Sequence, residues 1–115
     1  MHNSSMVKSI VLALGIIGIL ASVSISQADE IIRELRVENG QFQPNNLSVK
    51  SSAPFKIRIT NADKSPIEFE SFSLNREREV APGKSVTVYL PALAPGTYEF
   101  FDDFHKGNKG TIIAE

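Results

Sequence analysis

The chain has 115 residues, with 12 basic and 13 acidic side chains, two histidines and no cysteine. This length accommodates one globular domain. There is no basic run with aromatic residues beside it, so the composition argues against nucleic-acid binding. The missing cysteine excludes both disulfides and thiolate metal ligands.

The first 28 residues have the pattern of a secretory signal. Lys8 precedes an apolar run at residues 10–20, and small residues lead to Ala28. The run is shorter than the roughly 20 apolar residues that a membrane-spanning helix needs. We therefore expect residues 1–28 to be a cleaved signal peptide and residues 29–115 to be one domain exported to the periplasm. The alternative is an uncleaved anchor, which would leave the same domain outside the membrane.

Short runs of alternating or β-branched residues fill the remaining sequence. In residues 55–60, Phe55, Ile57 and Ile59 alternate with Lys56 and Arg58, which is the period of a strand with one buried face. Pro-Gly and Asn-Gly turn signals separate the runs, and no segment shows helical periodicity. The pattern predicts an all-β Greek-key sandwich of seven to eight strands. The other predicted runs are residues 31–37, 47–49, 67–74, 76–80, 85–90, 97–101 and 110–114.

Two acidic motifs lie among aromatic residues and are candidates for metal binding. Glu68 and Glu70 are two apart on a predicted strand, so both face the same side. Asp102, Asp103 and His105 follow a second strand. Isolated burial of carboxylates is costly, and a metal ion is one partner that would offset it. The alternatives are a solvated edge-strand face for the glutamates, loop-capping aspartates and a surface histidine.

The segment that begins at Pro95-Gly96 and ends at His105 resembles the C-terminal ligand loop of cupredoxins. In that family a Pro-Gly-x-Tyr-x-Phe strand leads to a cysteine, a histidine and a methionine that bind copper. The resemblance implies that Asp102 stands at the place of the cysteine and His105 at the place of the histidine. The methionine is missing, and so is the family's first histidine, which would lie near Glu68.

A second resemblance covers roughly residues 35–114. It is to the EfeO-type cupredoxin-like domain of bacterial periplasmic iron-uptake systems. The resemblance implies a cupredoxin-like fold and a role beside an inner-membrane iron permease and other periplasmic iron-uptake components. The motifs that carry it are Phe42-x-Pro44, Glu68-Phe-Glu-Ser71, Arg76-Glu77, Ala81-Pro-Gly83, Pro95-Gly-x-Tyr98 and Phe101-x-x-Phe-His105.

We expect Glu68, Glu70, His105 and one of the two aspartates to converge on a metal ion. Strand alternation lets Asp102 or Asp103 face that ion but not readily both, and the superfamily register favours Asp102. Oxygen ligands with one imidazole suit iron, manganese or Cu(II). A hydrogen-bond acceptor that does not itself bind the ion would orient the other nitrogen of His105. Two molecules could also share one ion as a metal-bridged dimer.

Three functions remain open at this point. The first is a metal-binding accessory that receives iron or copper for the permease. The second is a copper-dependent ferroxidase. This role would require a bound redox metal or a partner, because the predicted mature domain has no cysteine and only one histidine. The residues therefore favour a binding protein over an enzyme. The third is a structural or protein-docking sandwich that binds no metal.

Overall fold

The computed structural model describes residues 30–115, so the predicted signal peptide at residues 1–28 lies outside the described residues. Within that range the chain forms nine β-strands in two sheets, and no helix there could cross a membrane. The strands are β1 (Ile32–Glu38), β2 (Gln41–Gln43), β3 (Asn46–Val49), β4 (Phe55–Asn61), β5 (Ile67–Ser71), β6 (Arg76–Val80), β7 (Ser85–Leu90), β8 (Gly96–Asp102) and β9 (His105–Ala114).

The two sheets have the strand orders β2-β1-β4-β7 and β3-β9-β8-β5-β6. The pairs β1–β4 and β3–β9 are parallel, and the remaining pairs are antiparallel. The all-β prediction is confirmed, with one strand more than the predicted seven to eight. The additional strand is β2, which pairs with β1 through a turn in which Asn39 and Gly40 both have positive φ. Such a turn matches the twist of the two strands it joins.

The core lies between the sheets and is built by strand alternation. Phe55, Ile57 and Ile59 of β4 are all buried, as the period-two pattern predicted. Three phenylalanine rings meet at the centre, where the Phe100 ring lies 4.9 Å from that of Phe42 and 5.2 Å from that of Phe69. These rings fix the positions of β5 and β8, the two strands that carry the candidate ligands.

Two arginines of β6 link the open edges of the two sheets. Arg76 donates to the backbone carbonyl of Tyr89 at 3.1 and 3.2 Å, and Arg78 donates to that of Thr87 at 3.1 Å. Neither arginine forms an ion pair with a carboxylate among residues 30–115. Glu77 and Glu79 alternate with the arginines and face the other side of the strand.

Candidate metal centre

Three carboxylates meet on the outer face of the second sheet. In β5, Ile67, Phe69 and Ser71 are buried, which leaves Glu68 and Glu70 half-buried on the opposite face. Asp103 follows β8, and its backbone nitrogen donates to the carbonyl of Glu68 at 2.8 Å. One carboxylate oxygen from each of Glu68, Glu70 and Asp103 lies within 4.8 Å of the other two. This spacing allows a single cation to contact all three side chains.

The electrostatics of this carboxylate cluster favour a cation. Desolvation raises the pKa of Glu68, and the nearby Glu77, Asp103 and Glu70 raise it further. Desolvation also raises the pKa of Glu70, followed by the charges of Glu77 and Asp103, while Lys106 opposes the shift. Both shifts have the direction expected for acids that lack a compensating positive charge. A bound cation would supply that charge.

Charge compensation from the protein itself is limited at the cluster. Directly across from β5, β6 places Glu77 opposite Glu70 and Glu79 opposite Glu68. Among the ion pairs of residues 30–115, none includes Glu68 or Glu70. Lys106 lies nearest, with its Nζ 3.6 Å from an oxygen of Asp103.

Asp102 has a different environment from the cluster. In the register between β5 and β8, Asp102 lies opposite the buried Phe69, so its side chain faces the core. Its neighbour Phe101 lies opposite Glu70, on the outer face. The Asp102 side chain is only 1% exposed. Its Oδ1 accepts hydrogen bonds from the backbone nitrogens of Glu68 and Phe104, each at 3.0 Å. Its Oδ2 lies 2.8 Å from Nδ1 of His105. Three partners thus satisfy this buried carboxylate, and they tie the β8–β9 turn to β5.

His105 is the first residue of β9 and is half-exposed. It lines a cleft of about 400 Å³ at the end of the sandwich. The cleft wall also contains Asp63, whose two oxygens accept from the backbone nitrogens of Asn39 and Gly40 at 2.7 and 2.8 Å. The acceptor that orients His105 is therefore Asp102. The sequence signal for it was the spacing Asp-x-x-His across a tight hairpin.

The structure divides the five predicted site residues into two groups. Glu68, Glu70 and Asp103 form the carboxylate cluster, while Asp102 and His105 form a hydrogen-bonded pair beside the cleft at the end of the sandwich. Among the described residues, no group with the spacing of a metal site contains Asp102 or His105. The aspartate beside the glutamates is Asp103, not the favoured Asp102, because the register across β5 and β8 turns Asp102 inward. Metal binding by any of the five stays a prediction.

Comparison with known proteins identifies the family of this domain. A family profile described as a cupredoxin-like domain matches residues 10–114. An uncharacterized protein of Rickettsia prowazekii (strain Madrid E) is 40% identical over 81 residues. The match covers 70% of this chain and 65% of that protein, so the chain spans less than two thirds of its relative.

Several solved structures share the fold at low sequence identity. A purple cupredoxin from Nitrosopumilus maritimus is 16% identical, with a TM-score of 0.59 over 72% of this chain and 99% of that chain. Reduced auracyanin from Roseiflexus castenholzii is 18% identical, with a TM-score of 0.61 over 77% and 99%. The blue copper oxidase of Nitrosomonas europaea is 14% identical, with a TM-score of 0.63 over 76% and 39%. These similarities establish the fold.

A blue-copper centre does not fit the residues present. Such centres use a cysteine thiolate with two histidines, and this chain has no cysteine. At the end of the sandwich the structure offers one imidazole and the carboxylates of Asp63 and Asp102, each of which already accepts from two backbone nitrogens. The oxygen-rich donor set on the outer face suits a harder cation.

Proposed function

The chain belongs to the cupredoxin-like family, and from that premise we propose that it is a periplasmic metal-binding protein that serves a bacterial iron-uptake permease. The observation that carries the proposal is the cluster of Glu68, Glu70 and Asp103, whose carboxylate oxygens lie within 4.8 Å of one another. The resemblance to EfeO-type domains supports the iron-uptake context, because it rests on motifs that include Glu68 and Glu70.

The ligand chemistry favours iron as the physiological ion. Three carboxylates on a half-buried face supply hard oxygen donors, which suit Fe(II), Fe(III) and Mn(II). Cu(II) also binds such donors and stands highest in the affinity order of divalent ions. Affinity alone therefore does not identify the cargo, and the proposal covers iron first and copper second.

The position of the cluster supports transfer of an ion rather than its permanent retention. Glu68 and Glu70 are half-buried on a strand face, so three carboxylates would leave part of the coordination sphere open to solvent or to a partner. An open position allows a receiving protein to replace ligands one at a time. A ferroxidase role would need a redox metal held beside the iron, and the described residues form only the one cluster with the spacing of a metal site.

A second candidate function is docking to a protein without metal. Phe72 is 78% exposed, and its ring lies 5.3 Å from that of Phe101 beside the carboxylate cluster. Exposed aromatic residues next to a charged patch are typical of protein interfaces. In this reading the glutamates and Asp103 would contact basic residues of the partner.

Anaerobic calorimetric titration with Fe(II), repeated with Mn(II) and Cu(II), separates these functions. We expect one ion per chain, with an affinity at least about tenfold weaker in Glu70→Gln, which removes one ligand charge. Glu99→Gln is the matched control, because Glu99 is an exposed glutamate of β8 outside the cluster. Weak heats that are equal in all three proteins would favour the docking function. Oxygen consumption with repeated Fe(II) turnover would instead establish a ferroxidase.

A further inference from the structure

The β8–β9 hairpin holds a buried carboxylate behind a solvent-accessible imidazole. Asp102 is 1% exposed, and His105, three residues later, is 48% exposed. Oδ2 of Asp102 lies 2.8 Å from Nδ1 of His105, and Oδ1 accepts from two backbone nitrogens. Because an ionised carboxylate only accepts hydrogen bonds, the imidazole nitrogen that faces it has to carry the proton.

We infer that Asp102 is a positioning residue, which holds neutral His105 in the Nδ1–H tautomer and leaves Nε2 as the free electron-pair donor of the ring. A histidine that ligates a metal usually donates its other N–H to a carboxylate or carbonyl, which fixes the tautomer and the ring orientation. The structure has this arrangement. Oδ2 of Asp102 faces the imidazole, and Oδ1 is fixed by hydrogen bonds from the backbone nitrogens of Glu68 and Phe104. Asp102 thus acts through His105 and is not itself a ligand.

The surroundings of His105 favour Nε2 as the exposed atom. The cleft beside it is lined by Asp63, Lys64 and Ser65 as well as by the two residues of the pair. Both oxygens of Asp63 already accept hydrogen bonds from the backbone nitrogens of Asn39 and Gly40. The Asp63 carboxylate therefore stabilises that turn. His105 is therefore the side chain of this cleft that offers a nitrogen lone pair, and a borderline ion such as Cu(II) suits that donor.

The tautomer can be measured directly and without metal. Long-range ¹H–¹⁵N correlation spectra of the full chain at pH 8, above the ordinary pKa range of histidine, distinguish the protonated nitrogen of each ring. The His2→Gln variant identifies the signals of His105, since the chain has two histidines. We expect His105 to carry its proton on Nδ1. A proton on Nε2, or an even mixture of tautomers, would overturn the inference.

The variant Asp102→Asn tests the cause of that tautomer. Its amide oxygen can still accept from the backbone nitrogens of Glu68 and Phe104, while its amide group then donates to Nδ1 of His105. We expect the proton to move to Nε2. Retention of the Nδ1–H tautomer in a folded variant would contradict a positioning role. If the variant does not fold, the tautomer of the unaltered protein still decides the inference.

Discussion

Asp102 and Asp103 are neighbours in the chain, yet they occupy opposite environments. Asp102 is buried and accepts three hydrogen bonds that hold the β8–β9 hairpin against β5. Asp103 lies on the outer face beside Glu68 and Glu70, where desolvation and like charges raise the pKa values of both glutamates. The difference arises from one position along a strand, because successive side chains point to opposite faces.

The comparison separates a carboxylate used for folding from carboxylates available for binding. A buried charge with hydrogen-bonding partners on every side contributes to structure, and its removal leaves those partners unsatisfied. A half-exposed charge among other acids is held there at a cost that a cation would offset. The two roles predict effects of different size on stability when each aspartate is replaced by alanine.

The largest expected effect is on stability in Asp102→Ala. Loss of the carboxylate leaves the backbone nitrogens of Glu68 and Phe104 without an acceptor, so we expect a loss of about 3 kcal/mol in the free energy of unfolding. Asp103→Ala is the matched control and should change the free energy by less than about 0.5 kcal/mol. Urea unfolding measures both. Equal losses in the two variants would remove the distinction between the two aspartates.

The next effect is on metal affinity in Asp103→Asn. This substitution keeps the size of the side chain but removes one ligand charge, so we expect Fe(II) and Mn(II) to bind at least about tenfold more weakly. Asp63→Asn is a control at the cleft, where both carboxylate oxygens serve the Asn39–Gly40 turn. A larger loss in Asp63→Asn than in Asp103→Asn would place the ion in the cleft instead of on the outer face.

A smaller and opposite effect is expected in Lys106→Ala. The Lys106 ammonium lies 3.6 Å from an oxygen of Asp103 and lowers the pKa of Glu70, so it competes with a cation for the cluster. Its removal should strengthen Mn(II) binding by about twofold to fivefold, since exposed charge pairs are weak. Lys84→Ala, a change at an exposed lysine outside the cluster, should leave the affinity unchanged. Weaker binding in Lys106→Ala would contradict this competition.

The smallest effect is on the pH dependence of the metal-free protein. Because the pKa values of Glu68 and Glu70 are raised on folding, the native state binds more protons than the unfolded state just above the ordinary glutamate range. Their contribution to stability should therefore fall as pH rises from about 4 through the raised pKa values. Thermal unfolding of the double variant Glu68→Gln, Glu70→Gln should lack this decline. An unchanged pH profile would show that folding does not raise the pKa values of these two glutamates.

Much of the fold could be predicted from short-range pattern. The alternation of Phe55, Ile57 and Ile59 identified β4 as a strand with one buried face, and the spacing of Glu68 and Glu70 placed both on one face of β5. Strand β2 was missed because Gln41–Gln43 is short and polar, and its conformation depends on pairing with β1.

The division of the site depended on information that the sequence does not contain. Which aspartate joins the glutamates is decided by the pairing of Phe69 with Asp102. It also depends on a shift in register between Phe101 and Asp102, after which Asp102 pairs with His105. Strand alternation alone leaves the choice open, because Phe100 and Phe101 are both apolar and either could face the core; the contacts between strands bury Phe100 and, two residues later, Asp102.

Addition of substoichiometric Mn(II) to the ¹⁵N-labelled protein tests the central claim most directly, because the paramagnetic ion broadens the amide signals nearest to it. The account predicts that broadening is strongest for Glu68, Glu70 and Asp103 and is much weaker in Glu70→Gln. Broadening centred on Asp63 and His105 would place the ion in the end cleft. Equal broadening at every exposed acidic residue would show that the outer face holds no defined metal site.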